Sequence, residues 1–193
     1  HERLIIGLMS GTSMDGLDIA LCSCKGSGAD TQIKVLKFKT VPFTEDFRRD
    51  IKGIFSRRDA DLQQVCILNE VIGTRHAEMI LEVLAEWNIS PSEVDLIASH
   101  GQTIFHAPRI LHQDDRYPNA TLQIGDGDHI AVKTGIITIA DFRQKHLAAG
   151  GEGAVEVPQG QAVGGDVEVL VAALLVLQRV GVGHQVAAHA VGV

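Results

Sequence analysis

The sequence predicts an α/β fold built on a mixed sheet, with a three-strand antiparallel meander at one edge and flanking helices. Three observations carry this. Apolar runs separated by short turns recur through the N-terminal segment, the first a short buried run and the next two near-alternating. Two stretches with helical spacing follow. Short apolar runs then alternate with polar loops as far as Arg143.

Residues 4–8 (Leu-Ile-Ile-Gly-Leu) read as a buried strand. After a turn rich in Gly, Ser and Asp, Leu17 to Ser23 reads as a second. Gly26 to Asp30 is a turn. Ile33, Val35, Leu36 and Phe38 mark a third strand with Lys on its exposed face. Short links make the three antiparallel. Thr44 is a candidate N-cap, with Glu45 and Asp46 in the first turn. Phe47, Ile51, Ile54 and Phe55 then share one helical face. Asp59 or Asp61 can cap a longer helix, whose stripe includes Leu62, Val65, Cys66, Ile72, Met79, Ile80, Val83 and Leu84. His76 lies beside that stripe and reads as a core-edge histidine in preference to a ligand. Asn88, Ser90 and Pro91 end the helix. Val94 to Ala98 is a strand that runs into the polar cluster Ser99-His100-Gly101-Gln102-Thr103. A polar loop with Pro108 and Pro118 follows. Leu122 and Ile124 mark a short strand, Asp128 to Thr134 a short helix, and Ile136 to Ala140 a last strand. The later strands return through helical crossovers, so the sheet is mixed. This order resembles the core of actin-like, ribonuclease-H-like ATPase lobes. Open sheets of this kind place ligands where strands end.

The chain has 193 residues, 45% hydrophobic and 21% charged, with a net charge of −7. That composition belongs to a globular protein and gives no basic surface for nucleic acid. A phosphorylated ligand would need backbone N–H groups or a metal ion. The three cysteines Cys22, Cys24 and Cys66 are odd in number and lack zinc spacing, which points to a reducing cytoplasm. A polar triplet leads directly into the first strand, so no signal peptide is expected there. The chain opens on His1, which suggests trimming or a tag. Every aromatic residue lies at or before Phe142. Residues 155–193 carry only four charged residues, and their apolar run Val169 to Leu177 is too short to span a bilayer. The organisation expected is one lobe over 1–154 and an atypical tail over 155–193. The tail is a linker with one buried element, or non-native sequence such as a shifted reading frame.

Four clusters can carry chemistry. The first is the turn Gly11-Thr12-Ser13-Met14-Asp15-Gly16-Leu17-Asp18. Successive N–H groups and hydroxyls in such a turn can face a phosphate, and glycine allows close approach and positive φ. Asp15 and Asp18 supply the oxygen ligands that Mg²⁺ prefers. An ordinary hairpin turn is equally open on composition alone. The second is Ser99 to Thr103, where His100 and Gln102 could grip a sugar hydroxyl or bond their own backbone. His100, His106 and His112 recur every six residues and share no helical face, which disfavours a metal triad. The third is Thr121 to Asp128, containing Gln123 and Asp126. Its acids could bind a metal or sugar, and capping the next helix accounts for at least one of them. The fourth joins Asp141, Arg143 and His146 ahead of the glycine-rich segment Ala148 to Gly153. Arg143 can clamp a carboxylate or phosphate, or sit in a surface ion pair.

Gly7 to Asp18, Ser99 to Thr103, Leu122 to Gly127 and Asp141-Phe142-Arg143, in that order, closely resemble the anhydro-N-acetylmuramic acid kinase family over about residues 3–154. The resemblance implies an actin-like sugar kinase, of which this chain is the N-terminal half. It implies ATP and Mg²⁺ as cofactors and 1,6-anhydro-N-acetylmuramic acid as substrate. It also implies opening of the anhydro ring by an activated water, giving N-acetylmuramic acid 6-phosphate in bacterial cell-wall recycling. Gly11 to Asp18 would be the ATP phosphate loop. His100, Gln102, Gln123 and Asp126 would line the sugar cleft, and a homodimer is suggested. Two departures stand out. The family's expected base, an Asp, is replaced by His146, which can serve as a base near neutral pH; otherwise Asp141 is the nearest carboxylate. Family chains are about twice as long, and Gly153-Ala154-Val155-Glu156 replaces their Gly-Ala-Pro-Leu. The expectation is weak or absent turnover, with a fragment that binds nucleotide or sugar without catalysis as the alternative.

Overall fold

The computed structural model describes residues 2–26 and 30–148, apart from the side chains of Lys145 and His146. The expected tail over 155–193 lies outside the described residues.

Strands β1 (Glu2–Ser10), β2 (Gly16–Lys25) and β3 (Gln32–Pro42) form the antiparallel meander, with Met9 opposite Asp18 and Asp18 opposite Thr40. Two helices follow, α1 (Glu45–Ile54) and α2 (Leu62–Glu86). Strand β4 (Leu96–Ala107) then pairs parallel to β1, so the chain crosses over the sheet through those helices. A short helix α3 (Arg109–His112) leads into β5 (Ala120–Ile124), which turns back antiparallel on β4. Helix α4 (Gly127–Thr134), β6 (Thr138–Ala140) and α5 (Phe142–Ala148) complete the described chain. The order is β3-β2-β1-β4-β5, and β6 pairs parallel with the first part of β4. This is the α/β, mixed-sheet, actin-like lobe expected from the sequence.

The two faces of the sheet are unequal. Ile6, Leu8, Leu17, Ile19, Leu21 and Ile97 point to one side, where Ile51, Ile54, Ile72, Ile80 and Leu84 of α1 and α2 cover them. Small residues Ala20, Cys22 and Ala98 point to the other, where Phe142 fills the space. Both faces of β2 are therefore buried, which explains its near-continuous apolar run. Burial pushes the Cys22 thiol up to about 12, so it packs as an uncharged small side chain. No helix among the described residues is long and apolar enough to cross a membrane.

Helix boundaries follow the capping signals. Thr44 accepts from the Phe47 N–H at 3.3 Å. Asp61, not Asp59, caps α2 and accepts from Gln63 and Gln64 N–H groups at 2.8 and 3.3 Å. Asn88 takes the left-handed conformation just past α2. Asp61→Ala is expected to lower stability by about 1 kcal/mol in urea titration, because two N–H groups lose their acceptor. An unchanged midpoint would remove Asp61 from the capping role.

Two expectations need correction. The strand expected to end at Ala98 continues to Ala107, so Ser99 to Thr103 lies within β4 and not in a loop after it. Gly101, at φ +73, makes this possible. It kinks the strand where its neighbour on one edge changes from β6 to β5. Second, β5 returns by a hairpin-like path and not by a helical crossover, because the long β4 offers it an antiparallel edge.

Candidate functional site

The turn between β1 and β2 encloses a cleft of about 90 Å³ lined by Met9, Gly11, Ser13, Asp15, Gly16, Asp18 and Thr40. Its polar atoms converge. Ser13 Oγ donates to Asp15 at 2.5 Å, and Thr40 Oγ1 donates to Asp18 at 2.5 Å. The Ser13 hydroxyl, the N–H groups of Asp15 and Gly16, and the nearby Arg48 guanidinium hold the Asp15 carboxyl below its ordinary range. Asp15 is therefore an exposed, ionised carboxylate at neutral pH. Thr12 and Ser13 are exposed, whereas Met14 and Leu17 turn their side chains into the core. Those two residues can offer only backbone to a ligand.

The glycines do different work from the one expected. Neither Gly11 nor Gly16 has positive φ; in this turn that conformation falls to Met14 at φ 53. A Cβ on Gly16 would stand 2.5 Å from the Val41 carbonyl oxygen, so Gly16 lets β3 close onto the turn. Gly11 faces open space apart from Met9.

Gln102 ties the second cluster to this turn. It is fully buried. Its Oε1 accepts from the Ser10 hydroxyl, and its Nε2 donates to Gly11 O at 2.8 Å and Thr103 O at 3.1 Å. Its amide therefore positions the loop from beneath. His100 is buried at 3% exposure, with Nδ1 2.9 Å from Gly101 O. That contact assigns the proton to Nδ1 and leaves Nε2 as an acceptor with no partner. Burial, assisted by the Arg143 charge, brings His100 down to about 4, so the ring is neutral at pH 7.

The third cluster divides. Gln123 Nε2 donates to Thr121 Oγ1 at 2.8 Å, while its Oε1 is buried without a partner. Asp126 caps α4, accepting from the Asp128 and His129 N–H groups. It is anchored to α2, because the Asp126 N–H donates to Asn69 O and the Gly125 N–H to Asn69 Oδ1. In the fourth cluster Asp141 has φ 59, and the turn sends Phe142 inward against His100, ring centroids 6.1 Å apart. Neighbouring atoms crowd the Asp141 carboxyl enough to raise its pKa, though its surface is exposed. His146 lies on α5, and its side chain is outside the described residues.

His100 thus comes together with Phe142 and Arg143, while Asp141 stands at the exposed start of the same turn, and Gln102 connects His100 to the β1–β2 turn. Sequence reasoning missed Ser10, Thr40 and Arg48. Thr40 was within reach of it, since the β2–β3 register sets it directly opposite Asp18. Arg48 was not, because its approach to Asp15 depends on how α1 packs. A larger groove of about 730 Å³ lies apart from the turn, between the α1–α2 connection and β4–β5, with Arg57, Arg58, His106 and His112 on its walls.

The family model described as anhydro-N-acetylmuramic acid kinase matches residues 3–176. Relatives of that name are 57% identical in Pseudoalteromonas atlantica and 55% identical in Pseudoalteromonas translucida, covering 80% and 79% of this chain and 38% of each relative. One from Caldanaerobacter subterraneus is 43% identical over 82% of this chain and 40% of the relative. The chain spans about two fifths of the length of these curated relatives. Taken with the sheet order and the motifs at its strand junctions, the match over most of its length places this chain in the anhydro-N-acetylmuramic acid kinase family.

Proposed function

We propose that this chain supplies the phosphate-loop lobe of an ATP-dependent kinase for 1,6-anhydro-N-acetylmuramic acid. The product would be N-acetylmuramic acid 6-phosphate, within cytoplasmic cell-wall recycling, and the family likeness extends the reading to a homodimer. The observation that carries it is the cleft at the β1–β2 turn, where Gly11, Ser13, Asp15, Asp18 and Thr40 present oxygen and N–H groups to one small space.

No group of three or more His, Cys, Asp or Glu among the described residues is arranged to hold a metal. Mg²⁺ asks for less: one or two carboxylates, with water and phosphate oxygens completing the shell. Asp15 and Asp18 fit that need. When bound, Mg²⁺ would neutralise charge on the phosphates. Exposed Thr12 and Ser13 would orient phosphate oxygens, and Gln102 would hold Gly11 in place beneath them. In the chemical step water bonds to the anomeric carbon and gives its proton to a base. The C1–O6 bond breaks, O6 bonds to the γ-phosphorus, and the bond to the β-phosphate oxygen breaks to release ADP. His146 occupies the position of the family's base.

Calorimetric titration with Mg-ATP tests the loop. Asp15→Asn and Asp18→Asn are each expected to weaken binding about tenfold, the loss of one charge-assisted contact. Unchanged affinity in both variants would move the nucleotide elsewhere. Coupled assay of ADP release with the anhydro-sugar present tests turnover separately.

A further inference from the structure

Outside glycine, a left-handed backbone is strained, and polar residues at exposed turns bear it best. Five non-glycine residues take it among the described ones: Met14, Ser56, Asn88, Gln113 and Asp141. The last four are polar and exposed, as turns allow. Met14 differs from all of them. At φ 53 it is apolar and 8% exposed, and it belongs to the core cluster that contains Phe43, Phe47 and Ile51. Such strain persists only where the surroundings hold it, and it gathers at ligand sites. Here the surroundings are the fold itself. Asp15 O accepts from the Phe43 N–H at 3.0 Å and Gly16 pairs with Pro42, so the chain after Met14 is locked to the end of β3. Before it, Gln102 holds Gly11 O. From Gly11 to Asp15, Met14 is the one residue with a buried side chain. Its neighbours Ser13 and Asp15 are exposed, both line the cleft, and they bond to each other at 2.5 Å. The methionine side chain and the two cleft-facing side chains therefore leave the backbone in opposite directions.

We propose that Met14 is the positioning residue of the phosphate loop: its buried side chain pins the turn in the left-handed conformation that aims Ser13 and Asp15 into one cleft. The inference rests on the kinase reading above and adds what sets the loop before nucleotide arrives. Burying a methionine side chain outweighs the cost of one left-handed residue, so the pin holds without ligand. A loop fixed in advance loses less backbone freedom on binding. Glycine, the residue usually favoured in phosphate loops, would adopt the angle without strain and yet release the turn.

Calorimetric titration of the wild type, Met14→Gly and Met14→Leu with Mg-ATP tests this, with urea unfolding of each alongside. Met14→Gly is expected to weaken Mg-ATP about tenfold, the cost of ordering one residue's backbone at the moment of binding. Met14→Leu keeps an apolar pin of similar volume and should bring affinity back to within about threefold of the wild type. A methionine that served stability alone would lower the urea midpoint of Met14→Gly and leave the affinity of the folded protein where it was. If the glycine variant does not fold, the methyl NMR signal of Met14 in the wild type decides: a pinned side chain gives one narrow resonance before Mg-ATP is added. Equal affinity of the wild type and Met14→Gly, a leucine variant as weak as the glycine one, or a methyl signal that narrows only with Mg-ATP would overturn the role of Met14 and leave the kinase reading standing. No binding of Mg-ATP by the wild type would bring down the kinase reading and this inference together.

Discussion

Replacing Gln102 with Leu should destabilise the chain by about 3 kcal/mol and weaken Mg-ATP binding at a loop the side chain does not enter. Leucine fills a comparable volume, so the effect is chiefly one of hydrogen bonds. The amide serves three partners: the Ser10 hydroxyl, Gly11 O and Thr103 O. Ser10 is 1% exposed, so its hydroxyl cannot turn to water and keeps only a long 3.4 Å contact to Gly16 O. A buried polar group stripped of its partner loses about 1–3 kcal/mol. Gly11 is only partly buried and recovers some of its loss from solvent, which keeps the total at the low end for three such groups. Urea unfolding should show a lower midpoint with an unchanged slope, since the folded state buries the same surface. The coupling to the loop is the sharper test. Gly11 O is held by Gln102 Nε2, and releasing it frees the start of the turn that carries Ser13 and Asp15. A Gln102→Leu protein with normal Mg-ATP affinity would show that the turn holds its shape without support from β4.

The local parts of this architecture were readable from residue order. Period-two alternation marks β3, and the hydroxyl of Thr44 and the carboxylate of Asp61 mark where α1 and α2 begin. These signals act within a few residues, so they survive without knowledge of the fold. What was not readable depends on contacts distant in sequence. The continuation of β4 past Ala98 needs an edge supplied by β5, more than twenty residues later. Gly16 is required by the Val41 carbonyl and not by a ligand, a fact visible only once β3 lies against the turn. Gln102 reads as a candidate sugar contact in isolation, and its bond to Gly11 shows a second task. Arg143 and His100 lie over forty positions apart in the sequence, and their proximity follows from β6 pairing beside β4. His76, expected at the edge of the core, is completely buried, with neither ring nitrogen hydrogen-bonded. Helical spacing placed it near the stripe, but the closeness of Phe43 is a product of packing.

That burial gives the second large effect, an acid sensitivity set by histidines. The His76 ring stacks on Phe43 at 6.2 Å with planes 14° apart. Desolvation takes its pKa down to about 3, and burial with the Arg143 charge takes His100 to about 4. In the unfolded chain both would titrate near 6.5. Below that pH the unfolded state binds protons that the folded state refuses, so stability is full above 6.5 and falls as pH drops towards the folded values. Each histidine contributes a slope of about 1.4 kcal/mol per pH unit, so by pH 5 the pair should remove about 4 kcal/mol. The carboxylates held low, such as Asp15, Glu78 and Asp114, act in a separate and lower window, near and below their ordinary values. Between pH 6.5 and 5 the histidines therefore dominate, opposed from the lower end by Asp141, whose carboxyl pKa is raised by desolvation. His76→Phe should halve the slope in that interval. It should also raise stability at neutral pH by about 1 kcal/mol, because a phenyl ring fills the same space without two unpaired nitrogens. Urea titrations at pH 7.5, 6.0 and 5.0 on both proteins measure this. An unaltered slope in His76→Phe would mean that the native ring accepts its proton, which would require a partner or water at one of the two nitrogens deep beneath Phe43.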